Sequence, residues 1–146
     1  MIQLKEQCIL LELESTNKES LLVELAEAIQ KKYPSINTEH VKQVLMEREQ
    51  LGSTGVGNGV AIPHGKLHGL EQCLLCFGRS IQGIGFDAKD NRPVHLFIMI
   101  LSPMDMAEEY LQTLARVSKL LNDETNRSKF LQATSKRTVQ QLFNRL

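Results

Sequence analysis

The chain has 146 residues, of which 42% are hydrophobic and 23% are charged, the size and composition of a single globular domain spanning residues 1–146. Seventeen Lys and Arg residues balance seventeen Asp and Glu residues, so no surplus of positive charge attracts nucleic acid or an anionic membrane. No apolar run approaches the ~20 residues that span a bilayer, and the N-terminus lacks the pattern of a signal peptide. We therefore expect a cytoplasmic protein in which Cys8, Cys73 and Cys76 are buried thiols.

The N-terminal third of the chain predicts one strand followed by two helices. Residues 8–13 are apolar and predict the strand. Thr16 and Glu19 have the spacing of a capping box, and apolar residues recur on one face of the helix that follows. Asn37 or Thr38 caps the second helix, which is predicted to run to the start of a glycine-rich segment.

The glycine-rich segment, from Gly52 to Gly59, has four glycines in eight residues. We expect it to form no regular element and to leave its backbone amides accessible. It misses the P-loop pattern, because five residues separate Gly59 from Gly65 and the residue after Lys66 is neither Ser nor Thr. It also misses the dinucleotide fingerprint, whose third glycine would fall at Val60. The segment is therefore interpreted as a loop suited to an anion such as phosphate.

The rest of the chain alternates strands with helices. Strands are predicted at 60–66, 73–80 and 94–101, and helices at 105–121, 125–133 and 136–146. The strand at 94–101 is apolar almost throughout, as expected for a central strand covered on both faces. The pattern predicts an α/β sandwich in which a central mixed β-sheet is covered by helices on both faces.

His64 is the candidate catalytic residue. Pro63 restricts the backbone before it, Gly65 leaves space after it, and Lys66 adds a positive charge nearby. Since an imidazole has an ordinary pKa near ~6.5, it is largely neutral at neutral pH and can act as a base, ligand or nucleophile. The alternative is a histidine at a strand end that is hydrogen-bonded to the backbone.

Arg48 is the second candidate, because it falls near the centre of the apolar stripe that contains Val44 and Leu45. An arginine there must extend to the edge of the helix or meet an anion, since an unpaired buried charge is costly. The glycine-rich segment begins nearby, so Arg48 can face an anion held there. The alternatives are an arginine that reaches solvent and an ion pair with Glu12 or Glu14.

Tyr110 belongs to the inward row of the third predicted helix, with Leu114, Val117 and Leu121. Its position near the start of the helix, soon after the end of a strand, is typical of sites in α/β folds. Packing in the core and a functional hydroxyl both remain open.

Metal binding is not expected. His64 and His68 would chelate an ion only on a helix, and the neighbouring glycines oppose one. Cys73 and Cys76 have a spacing that directs their side chains to opposite faces of a strand.

Together these residues resemble a known family, the fructose/mannitol-type IIA domains of the bacterial phosphoenolpyruvate-dependent phosphotransferase system. The resemblance covers nearly the whole chain and is carried by four segments: 52–66 preceded by Glu47–Glu49, 86–94, 101–103 and 111–114. Asn58 and Gly65–Lys66 make the sequence most similar to the nitrogen-regulatory branch.

The resemblance implies a phosphocarrier that requires no cofactor. His64 would accept a phosphoryl group from an HPr-like phosphohistidine protein, and Arg48 would compensate the phosphate charge. The groups implied to bind the phosphate oxygens are in Ser53, Thr54, Gly55, Gly57 and Lys66. The phosphoryl group would pass to a IIB domain in sugar transport, or act as a switch on regulatory target proteins, as in nitrogen or potassium regulation.

Tyr110 departs from the family pattern, which has a second histidine at this position. A tyrosine hydroxyl donates a hydrogen bond but does not accept and relay a proton near neutral pH. We therefore expect phosphorylation to persist while the transfer rate or the lifetime of the phosphorylated form changes. A regulatory binding module that has lost efficient transfer is the alternative.

Overall fold

The computed structural model describes residues 3–144, which form five α-helices and six β-strands. The helices are α1 (Lys18–Lys32), α2 (Thr38–Gln50), α3 (Ala107–Asn122), α4 (Glu124–Gln132) and α5 (Lys136–Phe143). The strands are β1 (Ile9–Leu10), β2 (Gly55–Gly57), β3 (Val60–Ala61), β4 (His64–Lys66), β5 (Leu74–Ile84) and β6 (Val94–Ser102).

The strands form one mixed sheet in the order β1-β5-β6-β3-β2, with β4 also paired to β6. β1 is parallel to β5, β3 and β4 are parallel to β6, and the β5–β6 and β2–β3 pairs are antiparallel. β3 and β4 follow one another along the same side of β6 and are interrupted at Ile62–Pro63. Ala61 pairs with Phe97 and His64 with Ile100, so the register is the same on both sides of the interruption.

Helices cover both faces of this sheet, which confirms the predicted fold class. Phe77 of β5 packs against Phe130 of α4, with ring centroids 5.5 Å apart. The next residue, Gly78, faces the other way, where a Cβ would come within 3.1 Å of Leu25 in α1. All of β6 is buried except the half-buried His95, as predicted for a central strand.

The predicted capping box at the start of α1 is wrong. Asn17 caps the helix, because its side chain accepts the N–H of the third helical residue at 2.9 Å. Thr16 lies one residue too early for this role, and the Glu19 carboxylate pairs instead with Lys42 Nζ at 2.9 Å. At α2 the first of the two candidates, Asn37, is the cap.

Other boundaries differ in physically simple ways. β1 is shorter than the predicted strand at 8–13, because a 3-10 turn precedes it and the chain bends after Leu10. β5 continues past Ser80, and Gly83, with φ of +87°, lies at an irregularity in the ladder instead of ending the strand. The last three helices begin within two residues of the predicted positions. Residues 145–146, to which the last helix is predicted to extend, lie outside the described residues.

The glycine-rich segment is more regular than predicted, because β2 lies within it and pairs with β3. The pairing places Gly55 opposite Ala61 and close to Ala88. A Cβ at Gly55 would lie 2.8 Å from Ala88 Cβ and 2.9 Å from its Cα, so only glycine fits there.

The three cysteines are buried and unpaired, as predicted. The Cys73 thiol faces Ser102 and Thr113, whereas Cys76 lies near Cys8, so their side chains diverge as the strand geometry requires. Among the residues that the structure describes, no helix is long and apolar enough to cross a membrane.

Candidate functional site

His64 opens β4 directly after the interruption at Pro63, and its side chain is half-buried. Its Nδ1 lies 2.7 Å from the carbonyl oxygen of Ile62. Because a carbonyl oxygen only accepts hydrogen bonds, Nδ1 carries the proton and the neutral ring keeps its lone pair on Nε2. His64 is thus hydrogen-bonded to the backbone through Nδ1, while its Nε2 can act as a base, ligand or nucleophile.

The surroundings of His64 keep its ring neutral. Burial is the main cause that lowers the pKa of His64 below its ordinary 6.5, and the positive charge of Arg48 lowers it further. The Ile62 carbonyl and the Glu49 carboxylate oppose these effects but do not cancel them. At neutral pH the Nε2 lone pair is therefore available for bonding.

Arg48 lies in the last turn of α2, where its Nη1 donates to the carbonyl oxygen of Gly52 at 2.9 Å. Within residues 3–144 it forms no ion pair, so the predicted alternative of a salt bridge to Glu12 or Glu14 is not found. A guanidinium has five N–H donors, and the bond to Gly52 uses one of its nitrogens. Arg48 thus brings an uncompensated positive charge to the neighbourhood of His64.

Tyr110, in the first turn of α3, stands beside His64. The two ring centroids are 5.9 Å apart and the rings are tilted by 56°. Burial raises the pKa of Tyr110 to about 12, so its hydroxyl keeps its proton at neutral pH. The structure therefore brings together His64, Arg48 and Tyr110, the three residues predicted to be catalytic.

Lys66 ends β4 and is exposed. Side chains alternate along a strand, so Lys66 projects from the same side as His64. Gly65 faces the opposite side, where an added Cβ would lie 2.5 Å from Cγ1 of Val44 in α2.

The glycine-rich segment approaches the histidine only at its beginning. The carbonyl oxygen of Thr54 accepts the N–H of Ile62 at 3.0 Å, which places residues 53–54 next to the segment that carries His64. Gly57 instead pairs with Val60, and Val60 precedes His64 by four strand positions, a separation of about 13 Å. Gly57 is therefore not brought to His64.

Both hydroxyls predicted to bind phosphate are engaged within the protein. Ser53 Oγ donates to the carbonyl oxygen of Phe86 at 2.6 Å and accepts the N–H of Gly55 at 3.0 Å. Thr54 is buried and its hydroxyl donates to the Glu49 carboxylate. Their role as phosphate ligands stays a prediction, and it requires these bonds to rearrange.

Glu49 and Lys18 are residues of this site that the sequence analysis missed. The Glu49 side chain is only 4% exposed, and it pairs with Lys18 Nζ at 2.9 Å. Lys18 also lies 4.6 Å from the centroid of the Phe86 ring. The available signal was helical spacing, because Glu49 continues the buried row of Val41 and Leu45 at intervals of four residues.

Comparison with known proteins identifies the family. The family model described as "Phosphoenolpyruvate-dependent sugar phosphotransferase system, EIIA 2" matches residues 2–146. The chain belongs to this family. This IIA domain is 32% identical to the nitrogen regulatory protein IIA-Ntr of Neisseria meningitidis, whose crystal structure superposes with a TM-score of 0.90 over 96% of this chain and 95% of that one.

Sequence relatives include nitrogen regulatory proteins and fructose-specific EIIA components. A nitrogen regulatory protein of Bradyrhizobium diazoefficiens is 41% identical over 118 residues, which cover 81% of this IIA domain and 76% of that protein. A fructose-specific EIIA component of Haloferax volcanii is 46% identical over 96 residues, which cover 66% of this chain and 62% of that protein. The fructose-specific EIIABC component of Bacillus subtilis is longer still, and the matched part is 22% of its length. The predicted family resemblance is thus confirmed, with relatives in both its regulatory and its sugar-specific groups.

Proposed function

We propose that this IIA domain is a cytoplasmic phosphocarrier in which Nε2 of His64 accepts a phosphoryl group from the phosphohistidine of an HPr-like protein. The observation that carries the proposal is the hydrogen bond from Nδ1 of His64 to the Ile62 carbonyl oxygen, which leaves Nε2 as the nucleophile. The lowered pKa of His64 supports it, because a protonated ring has no lone pair to offer.

Phosphoryl transfer is catalysed mainly by positioning the reacting groups and by compensating the phosphate charge, so few covalent catalytic groups are needed. The Nε2 lone pair attacks phosphorus, the P–N bond of the donor histidine breaks, and the donor nitrogen keeps the electron pair of that bond. His64 retains its Nδ1 proton throughout. Arg48 would compensate the phosphate charge, with Lys66 at the exposed end of the site as a second cation.

The surface around His64 offers apolar contacts to a protein partner. Three large exposed side chains lie on the segments that carry the site: Leu51 after the end of α2, Met104 before α3, and Leu111 next to Tyr110. Such a surface suits docking with an HPr-like donor, and then with a IIB domain or a regulated target protein. A complex of the mannitol IIA and phosphorylated IIB proteins of Escherichia coli shares the fold, with a TM-score of 0.82 at 22% identity.

Regulation is the second candidate function for the same phosphorylated histidine. Phosphorylation adds about −1.5 to −2 charges to a domain whose formal net charge is zero, and so changes its complementarity to a partner. The relatives named nitrogen regulatory protein favour this role.

A labelling experiment tests the phosphocarrier proposal. The protein is incubated with phosphoenolpyruvate, enzyme I and HPr, and acid-labile phosphate is measured on the wild type, on His64→Ala and on His68→Ala. His68 is an exposed histidine four residues further on and serves as the matched control. We expect label on the wild type and on His68→Ala only. Label that persists in His64→Ala would overturn the proposal, and a chase with a IIB domain then separates transport from regulation.

A further inference from the structure

The Glu49 carboxylate is buried, and within residues 3–144 its hydrogen bonds and its ion pair are made to Thr54 and Lys18. Its Oε1 accepts the Thr54 N–H at 3.1 Å and pairs with Lys18 Nζ at 2.9 Å, and its Oε2 accepts the Thr54 hydroxyl. Three donors on one carboxylate offset the cost of burying its charge. The carboxylate therefore fixes both the backbone and the side chain of Thr54.

From Thr54 a series of hydrogen bonds leads directly to the reactive ring. The Thr54 carbonyl oxygen accepts the Ile62 N–H at 3.0 Å, and the Ile62 carbonyl oxygen accepts the Nδ1 proton of His64 at 2.7 Å. The position of Ile62 thus depends on Thr54, and the tautomer of His64 depends on Ile62. Glu49, Thr54 and Ile62 are buried, and in such an environment hydrogen bonds reinforce one another.

We propose that Glu49 is a positioning residue that acts through Thr54 and Ile62 to fix the tautomer of His64 and present Nε2 for phosphoryl transfer. This inference rests on the proposed function for its consequence in transfer, but its structural part concerns the unphosphorylated protein alone. Arg48 is adjacent in the chain, yet it has a different role, since its guanidinium contacts Gly52 and supplies charge.

In a purely structural role, the bonds of Glu49 would only hold the end of α2 against the segment that follows. Their loss would then lower the free energy of unfolding without changing which nitrogen of His64 holds the proton. The tautomer is therefore the deciding observable, and long-range ¹H–¹⁵N NMR spectra of the His64 ring report it directly.

The test compares Glu49→Gln with Glu47→Gln. Glu47 is an exposed glutamate two residues earlier on the same helix, and it accepts a hydrogen bond from Gln43 Nε2 at 3.3 Å. A glutamine has one acceptor oxygen and cannot serve Lys18 and both Thr54 donors at once. In Glu49→Gln we expect both tautomers of His64 to be populated and the rate constant for phosphorylation by phospho-HPr to fall about tenfold. Glu47→Gln should match the wild type in both measurements.

A folded Glu49→Gln protein with the wild-type tautomer and transfer rate would overturn the inference. If that variant does not fold, Glu49→Asp decides, because it keeps the negative charge while its shorter side chain draws the carboxylate away from Thr54; an unchanged tautomer and rate there would also overturn the inference. If the wild-type protein does not accept phosphate, the proposed function is wrong. The tautomer of His64 in the unphosphorylated variants still tests the role of Glu49 independently.

Discussion

The ring of Tyr110 lies 5.9 Å from the ring of His64, centroid to centroid, on the helix that follows the central strand. The family resemblance implies a histidine at this position. Because burial raises the pKa of Tyr110 to about 12, the residue beside the nucleophile is a fixed hydrogen-bond donor and not a group that takes up and releases protons near neutral pH.

Replacing Tyr110 with histidine should change the kinetics of phosphoryl transfer without abolishing phosphorylation. A histidine restores a group that can exchange a proton with the phosphorylated ring, so we expect a changed transfer rate or a changed lifetime of the phosphorylated form. Rapid-quench transfer and hydrolysis assays measure both quantities, with Tyr110→Phe as the control that removes only the hydroxyl. Identical rates and lifetimes in Tyr110→His and the wild type would refute this role.

The reactivity of His64 should decline in acid only below its ordinary pKa. Since burial chiefly lowers the pKa of His64 from 6.5, the ring stays neutral and nucleophilic to a lower pH than a free histidine does. An NMR titration of its ring protons and the pH profile of phosphorylation should give the same lowered value. A titration midpoint at or above 6.5 would contradict the described environment.

The same pKa shift predicts how His64 affects folding. Above pH 6.5 the ring is neutral in both the folded and the unfolded chain, so it contributes nothing to the pH dependence of stability. As the pH falls from 6.5 to the lowered pKa, the unfolded chain binds the proton first and stability decreases. Chemical denaturation of the wild type and His64→Gln should show a smaller decrease in the variant over this interval.

Removing the charge of Arg48 should slow phosphorylation more than any other change near His64 that spares the histidine itself. For Arg48→Gln we expect a loss of about 100-fold in the transfer rate constant, the scale seen when one stabilising donor is removed from a developing anion. The pKa of His64 should also rise, because Arg48 lowers it in the wild type. Arg116→Gln, on the exposed face of α3, is the control. A transfer rate constant of Arg48→Gln within about twofold of the wild-type value would exclude Arg48 from the site.

Gly65 lets α2 approach β4, and therefore brings Arg48 near His64. An added Cβ would lie 2.5 Å from Val44 Cγ1, and a β-branched side chain in a helix has little freedom to move. Gly65→Ala should lower the free energy of unfolding by about 1–3 kcal/mol, and Val44→Ala in the same chain should recover part of it. Gly85→Ala, where nothing lies within 4 Å of the added atom, is the matched control in urea denaturation.

Features carried by local sequence could be predicted, and features created by distant pairing could not. The glycine-rich segment, His64 and the apolar central strand can each be recognised from a short stretch of sequence. The pairing of Glu49 with Lys18 joins two helices, and that of Asn58 with Asp90 crosses 32 positions, so neither leaves a local pattern.

The errors in the sequence prediction have the same origin. Two polar residues stand side by side before α1, and only the folded geometry selects Asn17 over Thr16 as the cap. In the glycine-rich segment, pairing with β3 imposes strand structure on residues 55–57 that favour none alone. This pairing also carries Gly57 away from His64, although the two are close in sequence.

The central claim, that Nε2 of His64 carries the phosphoryl group, is tested most directly by NMR of the phosphorylated protein. After phosphorylation by phosphoenolpyruvate, enzyme I and HPr, ³¹P and long-range ¹H–¹⁵N spectra identify the nitrogen bonded to phosphorus and the nitrogen that keeps its proton. We predict a P–N bond at Nε2 of His64 with the proton on Nδ1. Phosphate on Nδ1, or on any other residue, would contradict the claim.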